Sequence, residues 1–183
     1  MDRNQALELL HQHLKSENLF NHSLAVEAIM QGIAEKIGQD ADKFGLAGLL
    51  HDIDYDSTAD DFQRHSLLGA QILSEKGLPE DVVYAVKVHN EVHGLPRNSL
   101  LDHALYAADP LSGFITAAAL VRPDKKLEEV QLKSLKKRFK EKAFAKGASR
   151  EQMQSCTVLG LELEEFLDLG LQSMKKIAAD IGL

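Results

Sequence analysis

The sequence predicts an all-α protein. Apolar residues recur at steps of three and four almost throughout, period-two alternation of β-branched residues is hard to find, and capping or helix-breaking residues punctuate the pattern. A first helix is expected from about Asn4 to Ser16 with Leu7, Leu10 and Leu14 inward, and a second from about Leu19 to Ile37, ended by Gly38 and carrying Val26, Ile29 and Ile33. The third, about Asp42 to Leu50, is nearly all apolar, which suggests full burial, and it delivers His51-Asp52 at its C-terminal end. After a turn through Asp54 to Ser57, Thr58 reads as the N-cap of a helix running to about Lys76 and stopped by Gly77. Pro79 suits the first position of the next helix, which reaches about His93 and breaks at Gly94-Leu95-Pro96. Ser99 starts another through Asp109, which Pro110 should kink. From Arg122 onward the composition changes, and Lys133, Lys136, Lys137, Arg138, Lys140, Lys142 and Lys146 crowd a helix of low hydrophobicity. Ser149 and Gln152 form a capping-box pattern for a last long helix, Met153 to about Ile181, which Gly160 and Gly170 would bend or segment.

At 183 residues the chain fits one domain, residues 1–183, with a C-terminal helical extension from about residue 121. A net charge of −7 argues against duplex nucleic acid, which calls for a basic surface, and leaves nucleic acid an unlikely partner. The basic run from Lys133 to Lys146 lacks interleaved aromatics and reads more readily as a solvated helix face. Cys156 is the only cysteine, so neither an intrachain disulfide nor a thiolate zinc cluster can form, and a reducing cytoplasm fits best. No signal peptide or membrane span is apparent.

The chemistry lies in histidines and aspartates on the apolar sides of their own helices. His22 shares a stripe with Val26, Ile29 and Ile33, His65 with Phe62, Gly69 and Ile72, His89 with Val82, Ala85 and Val86, and Asp109 follows Leu105 by one turn. Such residues cost free energy to bury unless they are paired or bind metal. Taken singly, each histidine is better explained as a core residue bonded to a carbonyl. Taken jointly they suggest a metal set, and imidazole nitrogen with carboxylate oxygen suits iron, manganese, cobalt or zinc.

The ordered set His22, His51-Asp52, His65, His89, Asp109 resembles the HD superfamily of metal-dependent phosphohydrolases, over roughly residues 20 to 120. Its most specific pieces are Gly48-Leu49-Leu50-His51-Asp52-Ile53 and Arg64-His65-Ser66-Leu67-Leu68-Gly69-Ala70. The resemblance implies an HD-like helical bundle in which His22, His51, Asp52 and Asp109 hold one divalent transition metal ion. It also implies that Asp52 bridges to a second ion held by His65 and His89. HD-GYP phosphodiesterases carry two adjacent histidines where this chain has His89-Asn90. Dinuclear diadenosine tetraphosphate hydrolases carry a lysine where it has Tyr55. Neither substrate is therefore assigned.

The expected activity is hydrolysis of a nucleotide or other small phosphate ester by a metal-activated water. Beside Asp52, His93 is the expected catalytic acid, because it follows His89 by one helical turn. Arg122 and Lys125 are expected to bind the substrate phosphate. Two alternatives stay open: a mixed-valent di-iron oxygenase using the same ligands, and a non-catalytic nucleotide-binding regulatory module.

Overall fold

A computed structural model describes all of Met1–Leu183, and it contains no strand. Helix α1 spans Arg3–His13, α2 Glu17–Ile37 and α3 Ala41–Leu50. Their boundaries follow local chemistry. Asp2 and Gln5 form a capping box on α1, Ser16 and Asp40 cap α2 and α3, and Gly38 takes the left-handed conformation (φ 70°) that closes α2. The hairpin of α2 and α3 is tight at Gly48, where an added Cβ would lie 2.9 Å from the Val26 carbonyl oxygen. Only a glycine lets the α3 backbone approach this closely, and that approach carries the end of α3 toward His22.

The middle of the chain departs from expectation. Helix α4 is a single turn, Tyr55–Thr58, and α5 begins only at Leu67 and ends at Glu75. Thr58 closes the short turn instead of capping a long helix, because its hydroxyl donates to the Asp54 carbonyl. His65 consequently sits in a turn, not on a helical stripe, and Phe62, assigned to that stripe, is 53% exposed. Helix α6 spans Glu80–His89, with Pro79 just outside it as the cap. Glu91–His93 then forms a short 3-10 turn.

Helix α7, Leu100–Leu120, starts from a Ser99–Asp102 capping box and continues through Pro110 as one element. The C-terminal part holds α8 (Leu132–Phe139), α9 (Arg150–Gln154), a 3-10 turn (Ser155–Leu159) and α10 (Leu163–Lys175). The single long final helix is thus broken, and Gly160, at φ 75°, ends its first part. One continuous apolar core runs from Ala6 and Leu10 through Ile29, Leu50, Leu105 and Phe114 to Met153, Phe166 and Met174. The C-terminal helices supply a large part of it and pack on α2 and α7.

Candidate metal centre

Six side chains from distant parts of the sequence meet at one end of this bundle. His22 comes from α2, His51 and Asp52 from the end of α3, His65 from the turn before α5, His89 from the end of α6 and Asp109 from the middle of α7. His51, Asp52, His65 and His89 are buried, whereas the His22 and Asp109 side chains keep 24% and 33% of their surface and open the cluster to solvent.

Asp52 stands between two groups. Its Oδ2 lies 3.6 Å from His22 Nε2 and 3.4 Å from His51 Nε2. Its Oδ1 lies 3.4 Å from His65 Nε2 and 3.5 Å from His89 Nε2. Asp109 joins the first group, with Oδ1 3.2 Å from His22 Nε2 and 3.8 Å from His51 Nε2. Ligands about 2.1 Å from one ion lie about 3.0 to 3.5 Å from each other, so these spacings suit coordination.

Every imidazole is oriented the same way, with Nδ1 engaged behind it and Nε2 facing the centre. His51 Nδ1–H donates to the Gly48 carbonyl at 2.8 Å and His89 Nδ1–H to the Val86 carbonyl at 2.6 Å. His65 Nδ1–H donates to Asp54 Oδ1 at 2.9 Å. The Ser112 hydroxyl gives its proton to the Asp109 carbonyl at 2.8 Å, so its oxygen accepts His22 Nδ1–H at 2.9 Å. These partners fix the tautomer that leaves Nε2 as a free lone pair, the arrangement that outer partners impose on metal-binding histidines. His22 Nε2 and His51 Nε2 are only 3.2 Å apart. Two lone pairs facing each other at that distance need a cation between them, whether proton or metal.

In the metal-free protein that cation is a proton. Burial works against a charged His51, but Asp52 and Asp109 outweigh it and hold its pKa well above the ordinary value. Burial also opposes ionised Asp52 and Asp109, and the histidines overcome it, keeping both carboxyls well below their usual range. Any metal therefore displaces protons.

Two partners outside the six were not recognised as such from the sequence. Asp54 is fully buried and accepts from three donors: His65 Nδ1, Ser66 N and Gly69 N, the last two at 2.8 Å. It holds Ser66 at φ 69°, a left-handed conformation that costs a serine about 1–3 kcal/mol. Ser112, one turn after Asp109, is the other. A carboxylate two residues beyond Asp52 was the available signal for the first; nothing in the sequence marks the second.

The candidate substrate residues fall elsewhere. His93 Nε2–H donates to the His65 carbonyl at 2.8 Å, so its proton is committed to holding the 62–65 turn, and His93 does not line the cleft over the cluster. Arg122 is partly buried and paired with Asp124 at 3.1 and 3.2 Å, and Lys125 is an exposed loop residue. Neither reaches the cleft, because α7 runs three further turns past Asp109 before releasing them into solvent. The cleft itself, about 370 Å³, is lined by Tyr55, Phe62, Asn90, Glu91, Gly147 and Gln152 beside the cluster, and by no lysine or arginine. The Tyr106 hydroxyl donates to Glu91 at 2.7 Å. Burial, and then the charges of Asp52 and Asp109, raise the Tyr55 pKa and keep its phenol neutral. A larger pocket, about 470 Å³, opens on another face of α2 around Arg3 and Glu27 and contains none of the six residues.

A family model described as HD domain matches residues 19–113. Among curated proteins, Ribonuclease Y of Nitratidesulfovibrio vulgaris (strain DP4) is 36% identical over 98 residues, covering 54% of this chain and 18% of the relative. Ribonuclease Y of Aquifex aeolicus is 32% identical over 170 residues, covering 91% of this chain and 30% of the relative. Ribonuclease Y of Lawsonia intracellularis is 30% identical over 139 residues, covering 74% of this chain and 26% of the relative. The chain thus spans less than a third of the length of these relatives.

Proposed function

The chain belongs to the HD domain family, and we propose that it is a metal-dependent phosphohydrolase cleaving a phosphodiester bond in a nucleotide-based substrate. One observation carries the reading: four imidazoles with their Nδ1 atoms engaged aim Nε2 at the two oxygens of a single buried aspartate. The donors are nitrogen and oxygen without sulfur, which fits iron, manganese, cobalt or zinc. His22, His51, Asp52 and Asp109 would hold one ion and Asp52, His65 and His89 a second. Divalent ions in such a site supply a water acidic enough to attack phosphorus near neutral pH and offset charge on the phosphoryl oxygens.

The protein's own part follows from the cleft lining. Tyr55, neutral and half-buried, offers its hydroxyl proton to a phosphoryl or leaving oxygen, and the Gln152 amide offers a second donor. Without a lysine or arginine in the cleft, charge on the scissile phosphate has no other counterpart than the metal centre.

Nucleic acid returns as a substrate. The expectation against it rested on the overall charge of −7 and on the lack of interleaved aromatics in the Lys133–Lys146 stretch, whereas the relatives are named as ribonucleases. The test is direct. Protein purified without chelators, then loaded with manganese, iron or cobalt, is expected to hydrolyse bis(p-nitrophenyl) phosphate and short single-stranded RNA, and to stop when the metal is removed. No metal uptake and no turnover on diesters, monoesters or nucleotides would sink the proposal.

A further inference from the structure

Past His22 and Asp109 the metal cleft continues into a second groove of about 330 Å³, which shares His22, Asp109 and Gly147 with it. This groove runs between small residues of α7, among them Gly113, and the turn bearing Ala145, Gly147 and Ala148. The turn ends the basic stretch. Between residues 131 and 148 stand seven lysines and arginines against a single acid, Glu141, in a chain whose net charge is −7.

Amphipathy forces those charges outward. Leu135 is buried and Phe139 packs edge-on against Phe114 at 5.9 Å, which leaves Lys133, Lys136, Lys137 and Lys140 on the exposed side. Two of the cations are occupied: Lys136 pairs with Glu164, and Arg138 lies 4.5 Å over the Phe144 ring. Lys140, Lys142 and Lys146 are exposed and have no ion-pair partner. The backbone carrying them is nonetheless fixed. The Arg150 guanidinium donates to the carbonyls of Phe144, Ala145 and Ala148 at 2.7 to 2.9 Å and stands 4.7 Å over the Phe114 ring. A merely solvated face mixes both signs of charge and needs no such anchor.

We propose that this groove, together with the exposed lysines of the basic stretch whose last turn borders it, forms a track for the backbone of a single-stranded polynucleotide. Phosphates beyond the scissile one would leave the metal cleft past Gly147 and meet Lys146, Lys142 and Lys140. The inference rests on the phosphodiesterase reading above and adds to it where the rest of the strand lies. No lysine or arginine lines the cleft, so phosphates outside the metal centre must be met by charge beyond it. Lysines contacting backbone phosphate confer affinity without sequence preference. In the lining of the metal cleft the exposed Phe62 ring, edge-on to Tyr55 at 6.2 Å, offers a face on which a base can stack, another sequence-tolerant contact.

Two measurements on the full chain test the track. Binding of a fluorescent single-stranded RNA of about twelve nucleotides is followed by anisotropy. KM of the metal-loaded protein is compared for that RNA and for a dinucleotide. With three lysine–phosphate contacts, the Lys140→Gln/Lys142→Gln/Lys146→Gln variant should reduce the slope of log K against log salt by about 2, and wild-type binding should lose about 20-fold more affinity than the variant between about 50 and 200 mM salt. The KM advantage of the longer RNA should shrink in the variant by at least about tenfold at low salt. A charge-matched variant elsewhere, Lys15→Gln/Lys76→Gln/Lys176→Gln, should retain most of that advantage. Equal KM for dinucleotide and longer RNA in the wild type would overturn the track while leaving the hydrolase reading standing. Equal losses from the two triple variants would overturn it as well, since net charge alone would then suffice. RNA binding through these lysines by a protein that hydrolyses no diester would instead uphold the track and reject the hydrolase reading.

Discussion

The two halves of the candidate metal centre are held by different means. The His22, His51, Asp109 half is assembled from three packed helices, and its outer partners are the Gly48 carbonyl and the Ser112 hydroxyl, the latter tied in turn to the Asp109 carbonyl. In the other half, His89 is anchored like His51, by a carbonyl one turn back, but His65 stands on a turn organised by the buried carboxylate of Asp54, by His93 and by Asn90. Helix packing preorganises the first half. The second depends on a polar network whose members must all be satisfied, and such networks fail together when one partner is lost. The halves should therefore separate under mutation.

Asp52 is the one residue common to both, so its loss erases the contrast. Asp52→Asn is expected to lower diester hydrolysis by about a thousandfold or more and to reduce bound metal in both halves, measured by turnover and metal analysis of the same preparation. Retention of two ions with near-normal activity would show that Asp52 is no bridge.

Asp54→Asn should expose the contrast most clearly. Ser66 N and Gly69 N lose a charged acceptor and His65 loses its orienting carboxylate, at a cost of about 1–3 kcal/mol in stability. Second-ion affinity should fall about 10- to 100-fold while the first ion stays bound, a difference that metal titration reads directly. Ser112→Ala touches the other half, where helices still position His22. First-ion affinity is expected to fall by about tenfold, the lower end for an outer partner, with little change in melting temperature. If Ser112→Ala disturbs the His65 half as much as Asp54→Asn does, the division between the halves is not real.

A smaller effect follows from protons. In the metal-free protein His51 has a folded pKa raised above its unfolded value of about 6.5. Its contribution to stability is complete below about pH 6.5 and is lost as pH rises through the raised value. Asp52 and Asp109 are depressed, so their contribution is lost only as pH falls toward their folded values. The metal-free melting temperature should therefore decline from about pH 6.5 upward, whereas metal affinity should rise over the same window as the competing proton leaves. Calorimetry in two buffers of different protonation enthalpy would register the protons released. A metal affinity independent of pH across that window would contradict the proton placed on His51.

Much of the candidate centre is legible in the sequence. The order of His22, His51, Asp52, His65, His89 and Asp109 marks them as a set, and all six meet in the structure. For His22, His89 and Asp109 the warrant was periodicity, and the helices α2, α6 and α7 carry them as expected. His65 lies on a turn and not on the stripe that periodicity predicts, yet its Nε2 still faces Asp52. The segment after Thr58 forms turns: the Thr58 hydroxyl donates to the Asp54 carbonyl, and the Asp54 carboxylate takes the amides of Ser66 and Gly69 where α5 begins, contacts that span up to fifteen residues and leave no trace in a helical period.

The sequence by itself determined the all-helical architecture, because helical periodicity is a local property of the chain, and it marked the central histidines and aspartates as candidates through the cost of burying them and the resemblance of their order to the HD superfamily. It could not determine which polar residues stand around those groups. The spacing of His93 points to the metal ligands, whereas its Nε2–H donates to the His65 carbonyl, and Arg122 pairs with Asp124 two residues away. Asp54, Ser112, Tyr55 and Gln152 acquire their places from contacts between elements far apart in sequence. The reach of a side chain is a few ångströms, so its role is decided by whichever backbone packing brings within that distance, and only the tertiary structure fixes that.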